Sequence, residues 1–491
     1  MIDIIINKNQ CKLEGDELTT SLLQTLDREL SYEIEGARFM PAFQRGWDGR
    51  KHFFNNKLIF PRGCLDRVIK IFNNYSLSYN IIDNNLLTNS VSLDITDKLK
   101  SIKKTPYEYQ IEAANKVTEV NCGIFKMATG SGKSLTMALM VAKLNKSSII
   151  YVIGLSLLYQ MHELFVSIFG ADHVGIVGDG NCDIKTGPAD INIVSVWTAG
   201  IALGVDKKKI INDDDDVVEK TADATKHQQI KKLISSAKVH IIDECHVCGC
   251  ATLEEINKTI NAEHIYGMSA SPYSDDGSDL VIESILGSIV VNISASYLIE
   301  RGFLAQPIIK FINVPKIMYP KEVKYPGIYK EYIIENEIRN NIVLENAKDL
   351  VSKGYKVLVL YKNIQHGKIL LEKLKNEVPC ILLNGKDKNN IRDAAKIKME
   401  SGEINCVIAS NIFDIGLDWP QLSALICAGS GKSSIRSLQR IGRVIRKYGN
   451  KKFAAVIEFA DNCRYLKDHT QARKKVYETE PKFKIIWPQK K

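Results

Sequence analysis

Residues Cys122 to Leu144 read CGIFKMATGSGKSLTMALMVAKL. The first six fit a strand buried on both faces, and Leu135 to Leu144 repeat their apolar positions with a helical period. A glycine-rich turn separates them. Strand, tight turn and helix in that order aim backbone N–H groups and a helix N-terminus at an anion, the usual way to hold a nucleoside triphosphate. The letters GSGKS, here Gly130 to Ser134, return at Gly429 to Ser433 within LICAGSGKSSIRSLQ. Neither copy has the first glycine of GxxxxGK[ST], Met127 and Ile426 standing in its place. The loop alone does not say whether there are two nucleotide sites or one.

Outward from this stretch the same rhythm continues. CGIFKM (122–127), SSIIYVI (147–153), INIVSV (191–196), VHIID (239–243) and HIYGMSA (264–270) read as buried strands, with helical patterns at Leu135 to Leu144 and Leu157 to Phe169. A second series follows: YKVLVLY (355–361), PCILLNG (379–385), NCVIAS (405–410), SALICAG (423–429) and FAAVIEFA (453–460). Short apolar strands alternating with helices predict parallel α/β sheets. Two such domains are expected, joined near residues 300–340, where Gly302, Pro307, Pro315, Pro320 and Pro326 punctuate the chain. Residues before about 90 lack the rhythm and predict a smaller α+β unit. The expected boundaries are 1–95, 96–300, 301–465 and a basic tail or helix over 466–491. Residues 205–232, with four consecutive aspartates, read as a solvated surface loop or a regulatory acidic segment.

At 491 residues the chain is too long for one core. Its formal charge of +9 suits an anionic partner without requiring one. Scattered cysteines and no apolar span of membrane length argue against a disulfide scaffold and against a membrane protein. A cytoplasmic location is expected, in the host cytoplasm if a phage encodes the chain, and nothing suggests coiled coils, so a monomer is expected.

Triphosphate chemistry needs Mg²⁺, held by the loop Ser/Thr and a strand-terminal Asp. The first GSGKS has such company in VHIIDECH: Ser134 and Asp243 for the metal, Glu244 to orient or deprotonate water. The second has only VIEFADN, a weaker match. Lys133 with Thr129, Gly130, Ser131 and Gly132 therefore forms the expected ATP loop. Upstream, Gln110 after Tyr109 offers a donor and an acceptor spaced for adenine. CHVCGC (245–250) packs three cysteines and a histidine, but zinc sites usually draw ligand pairs from separated segments, and Mg²⁺ is the metal expected.

In this order the motifs resemble those of superfamily 2 helicases: YEYQ, ATGSGKS, DECH, SAS (269–271), IASNIFDIGLDWP (408–420) and QRIGRVIR (439–446). With RGWDGR (45–50), the set is most similar to the phage UvsW helicases. The resemblance implies two tandem RecA-like domains forming a helicase motor after the small N-terminal domain, with ATP and Mg²⁺ as cofactors. It implies that Gln439, Arg443 and Arg446 act on the γ-phosphate from the second domain, and that Gly416 and Asp418 join the ATP site. His246, Ser269 and Ser271 would couple hydrolysis to movement. Unwinding, branch migration or reannealing of forked, branched or single-stranded DNA, and of RNA–DNA hybrids, would follow. An RNA helicase, a duplex translocase and an ATP-independent annealing protein stay open as alternatives. The motif after SSIIYVI lacks the usual Pro-Thr pair.

DNA contacts are expected at several places. Gly36 to Phe72 hold eight Lys/Arg, two acids and seven aromatics, with Arg45, Trp47, Arg50 and Lys51 the expected binders. Ser195, Thr198 and Ser410 at strand ends would grip phosphates without reading sequence. The second GSGKS would keep the loop shape, placing Lys432 on the DNA track and opening a helix that carries Gln439, Arg440, Arg443 and Arg446.

Overall fold

The structure, a computed structural model, describes residues 1–34, 36–85, 90–205, 224–246, 250–272, 279–320, 322–385, 387, 389–410, 419–429, 431 and 434–488. Gly416, Asp418, Lys432, most of the acidic segment and part of CHVCGC lie outside them. The chain divides into two units, Met1–Met127 with Gly132–Asn292, and Ala128–Ser131 with Ile293–Lys491. No described helix is long and apolar enough to cross a membrane.

The first unit opens with the small α+β domain. β1 (Ile2–Asn7) pairs antiparallel with β2 (Gln10–Glu14), β3 (Ser31–Glu33) with β4 (Arg50–His52), and β2 with β5 (Ile59–Pro61). β6 (Tyr79–Asp83) lies parallel to β1. Alternation in β1 buries Ile2, Ile4 and Ile6 against Leu22, Leu26, Val68 and Phe72 of the helices Thr20–Glu29 and Leu65–Asn74. Leu280, from the following domain, closes the same core.

That following domain is an eight-stranded sheet: β7 (Cys122–Met127), β8 (Ser148–Val152), β9 (Val174–Gly178), β10 (Asn181–Asp183), β11 (Ile191–Ser195), β12 (Val239–Asp243), β13 (His264–Ser269) and β14 (Ile289–Ile293). The order is β10-β9-β11-β8-β12-β13-β7-β14. β8, β9, β11, β12 and β13 are buried along their whole length, which is why they read as continuous apolar runs. Residues 224–232, expected in an irregular segment, belong to the helix Ala224–Ser236, which buries Ile230, Leu233 and Ile234. Its polar residues outnumber this short apolar stripe, which is what conceals the period.

The second unit is built on an all-parallel sheet ordered β17-β18-β16-β19-β20-β15-β21. Its strands are β15 (Gln306–Asn313), β16 (Val357–Tyr361), β17 (Cys380–Leu383), β18 (Cys406–Ser410), β19 (Ala424–Ile426), β20 (Phe453–Ala460) and β21 (Lys484–Ile486). The region expected as a proline-marked junction thus supplies β15, an interior strand paired over its whole length with β20. Pro307 is tolerated near the start of β15, and the other prolines after Pro307 follow the strand. The segment expected as a tail supplies a helix, Leu466–Glu478, and the edge strand β21, both part of this unit.

Candidate nucleotide site

In the first unit's sheet the parallel strands end on one edge, where α/β sheets hold their ligands. The loop after β7 leads into the helix Lys133–Leu144, and Asp243 and Ser269 close β12 and β13. β12 is not next to β7, because β13 lies between them. The turn is built on Gly130 (φ +86°) and Gly132 (φ +78°). At Gly132 the φ of +78° is one that side chains rarely adopt, and a Cβ there would meet Gln110 Nε2 at 2.3 Å and displace that amide.

Gln110 is buried, its Oε1 accepting from Tyr107 N–H at 2.9 Å and its Nε2 lying 3.4 Å from Gly132 O. The amide thus ties the helix Glu108–Asn115 to the loop. Tyr109 is buried and stacks on Tyr107, the first residue of YEYQ, whose ring is half exposed.

Lys133 Nζ donates to Glu244 Oε1 at 2.8 Å. Glu244 sits at φ +44°, a left-handed conformation unusual for a glutamate. His246 Nδ1 lies 3.5 Å from Glu244 Oε2 and 2.7 Å from Ser269 Oγ, which also accepts from Ser271 N–H at 3.0 Å. Hydrogen bonds thus join Lys133 to Glu244 and His246 to Ser269 and Ser271, and a 3.5 Å approach of Glu244 to His246 brings the two groups together.

Asp243 is 4% exposed. Burial first, and then the adjacent Glu244 charge, push its carboxyl up to about 7, against the pull of the Lys133 ammonium. A carboxylate whose negative charge is this costly gains from a divalent cation. The donors at hand, the Ser134 hydroxyl and the Asp243 carboxylate, are hard oxygens of the kind Mg²⁺ takes. The residues fit that ion.

Around the second GSGKS the arrangement differs. Tyr329 OH donates to Gly429 O at 2.5 Å, Arg339 Nη1 to Ala428 O at 2.6 Å and Arg473 Nη1 to Gly431 O at 2.8 Å. The VIEFADN carboxylates are already paired: Glu458 with Arg473 at 3.0 Å and with Tyr477 OH at 2.6 Å, Asp461 with Arg339 at 3.1 Å. These buried pairs neutralise the only acids that sequence set beside that loop.

The helix Ser434–Val444 carries Gln439, Arg440 and Arg443, the two arginines buried. Arg446 is not on it, as expected from sequence, but two residues beyond, in a bridge to Leu304. Ser195 and Ser410 end β11 and β18 and are both buried; Thr198 lies in the helix Val196–Leu203. Of the four basic or aromatic N-terminal residues, Arg45 is exposed. Arg50 is fixed to Ser31 O at 2.9 Å and Ser31 Oγ at 3.0 Å, Lys51 pairs with Glu254, and Trp47 Nε1 donates to Arg50 O at 3.0 Å. Sequence could not show these ties, since each partner but one is at least 19 residues distant.

Two family models match the chain: the type III restriction enzyme res subunit over residues 103–274, and the helicase conserved C-terminal domain over 340–448. With two RecA-like sheets and the motif order above, the chain belongs to the superfamily 2 helicases, enzymes that hydrolyse ATP to work on nucleic acid. Over 472 residues it is 26% identical to the ATP-dependent DNA helicase uvsW of Enterobacteria phage T4, a match covering 91% of this chain and 88% of that protein. It is 22% identical over 377 residues to the DNA 3'-5' translocase XPB2 of Sulfurisphaera tokodaii, covering 69% and 78%. The solved structure of S. cerevisiae Dbp5 bound to RNA and ADP BeF3 has the same fold, with a TM-score of 0.53, 14% identity and coverage of 81% and 94%.

Proposed function

We propose that this helicase uses ATP to unwind, branch-migrate or reanneal forked and branched DNA, with RNA–DNA hybrids as further substrates. The observation that carries the reading is the path from Lys133 through Glu244 and His246 to Ser269. It joins a triphosphate-holding lysine to a second strand end, as a motor that converts hydrolysis into movement requires.

In this reading Lys133 holds the β- and γ-phosphates, with Thr129, Gly130, Ser131 and Gly132 cradling them. Ser134 and Asp243 hold Mg²⁺, which supplies charge neutralisation on the phosphates. Glu244 orients the attacking water and accepts its proton. Tyr107, Tyr109 and Gln110 border the base. Gln439, Arg443 and Arg446 stabilise charge developing on the γ-phosphate, and Gly416 and Asp418 belong to the same machinery. His246, Ser269 and Ser271 transmit the state of the γ-phosphate. Arg45, Ser195, Thr198, Ser410 and Lys432 contact the DNA backbone, and the protein acts as a monomer.

The deciding experiment compares stimulation of ATP hydrolysis by forked DNA, duplex DNA and RNA. Strongest stimulation by forked DNA is expected. Preference for RNA, or for plain duplex, would replace this reading with an RNA helicase or a duplex translocase. Annealing unaffected by Glu244→Gln would replace it with an ATP-independent annealing protein.

A further inference from the structure

The segment between Gly36 and Gly49 carries Phe39, at 91% exposure the most exposed aromatic side chain of the described residues. Met40 and Phe43 beside it are 39% and 38% exposed. A singly exposed apolar residue is ordinary on a loop that drifts. This one is presented by a braced support. Ala37–Phe39 form a 3₁₀ turn and Pro41–Gln44 a single helical turn. Trp47 N–H donates to Ala42 O at 3.1 Å and its indole to Arg50 O at 3.0 Å. Gly49 closes the turn at φ +80°, where a Cβ would lie 3.1 Å from Ala37 Cβ and 3.3 Å from the Phe43 ring.

The base of this support is tied down on both sides. His52 bridges Asp27 at 2.7 Å and Asp48 at 2.8 Å. Arg50 is fixed to β3, and Lys51 anchors β4 to Glu254 of the motor domain. A ring held out into water on a rigid mount forgoes burial that would stabilise the fold, so its position calls for an occupant.

Charge selects the occupant. Arg38 precedes Phe39 in the chain and Arg45 ends the helical turn that follows it; the Arg38 side chain is 77% exposed, its paired carboxylate, Glu33, as far as 4.0 Å away, and Arg45 is exposed. An exposed aromatic face on a short segment that also carries two solvated cations matches a nucleobase on its phosphate backbone. It is too small and too charged for an apolar protein interface. The geometry points to Phe39, with Arg38 and Arg45, as a stacking platform for an unpaired base next to a DNA junction. This rests on the DNA reading above and adds the contact by which the N-terminal domain distinguishes a fork from plain duplex.

The test uses the full chain and forked DNA carrying 2-aminopurine at the first unpaired position. Phe39→Ala should melt with the parent, since the ring packs little, yet bind the fork about tenfold more weakly and lose the 2-aminopurine fluorescence change. Phe39→Tyr, which keeps a stacking face, should retain both. A Phe39→Ala protein that binds and perturbs the fluorophore as the parent does overturns the inference. So does an equal loss in Phe39→Tyr. If the parent itself binds no DNA while RNA stimulates its ATPase, the DNA reading fails and the platform with it.

Discussion

Glu244 meets Lys133 from an unusual backbone: at φ +44° its Oε1 lies 2.8 Å from the Lys133 ammonium. That conformation turns the residue after β12 out of the strand line and towards the phosphate loop. Two carboxylates, Asp243 and Glu244, then share one nearby cation, and the more buried of them is pushed up to about 7.

If Glu244 positions water, Glu244→Gln should lower the ATPase turnover by about 100-fold or more while Mg·ATP still binds. Lys133→Ala should lose hydrolysis as well, while DNA binding persists. Phosphate release measured beside binding of a fluorescent ATP analogue separates the two effects. Undiminished hydrolysis in Lys133→Ala would remove this loop from the site.

The 2.7 Å bond between His246 Nδ1 and Ser269 Oγ predicts a shared role. His246→Ala and Ser269→Ala should each uncouple strand separation from ATP turnover, and the double variant should be little worse than either single one. Unwinding per ATP hydrolysed is the measurement; additive losses would mean the residues act separately.

Burial holds His240 neutral, its pKa pushed down to about 4, beside Tyr151 OH at 3.0 Å. The unfolded chain takes up this proton near pH 6.5, the folded chain only near 4. Between those values the unfolded state binds more protons. The stability this histidine contributes is therefore full above about pH 6.5 and falls as pH drops, by at most about 1.4 kcal/mol per unit. His264, pushed down to about 4 by burial and then by the Lys146 charge, acts in the same direction. Asp243, pushed up to about 7, acts in the opposite direction over the same range, so the histidine's share is read as the difference between parent and His240→Gln in thermal unfolding from pH 7 to 4.5, the parent losing more stability as pH falls.

Arg473 is 1% exposed and joins Glu458, Gly431 O and Phe459 O. Arg473→Ala leaves Glu458 buried without its cation and should cost about 3–5 kcal/mol in the second unit. Removing residues 466–491 should abolish folding of that unit altogether. Denaturant unfolding checks both; a truncated chain as stable as the parent would show the helix to be dispensable.

Gly63 packs against the backbone of Glu283 and Ser284, where a Cβ would stand 2.1 Å from Glu283 O and 2.6 Å from Ser284 O. Gly63→Ala should loosen the N-terminal domain from the first motor domain at a cost of about 1–3 kcal/mol. Faster proteolysis of the N-terminal domain is the expected sign.

Much of the architecture could be read before any coordinates. Strands buried on both faces are apolar along their length, so β7, β8, β11, β12 and β13 stand out in the text of the chain. So do the glycine turn, Lys133 and the Asp243–Glu244 pair, because phosphate chemistry needs those residue types at strand ends. β15 and the helix Leu466–Glu478 do not stand out. The first looks like a junction because of its prolines, and the second like a tail because lysines crowd around the buried Arg473 and Tyr477.

What sequence determined was local: periodicity, turn chemistry and the pairing of one GSGKS with strand-end carboxylates. Which charged side chains are available to a ligand was decided by tertiary structure. Arg50, Lys51 and Arg473 look in sequence like Arg45, yet their partners come from distant segments and take their charge into the fold. The second GSGKS is the clearest case. Its letters match the first, but the acids near it, Glu458 and Asp461, are bound to Arg473 and Arg339. Ion pairing depends on distance in space, and only the folded chain sets that distance.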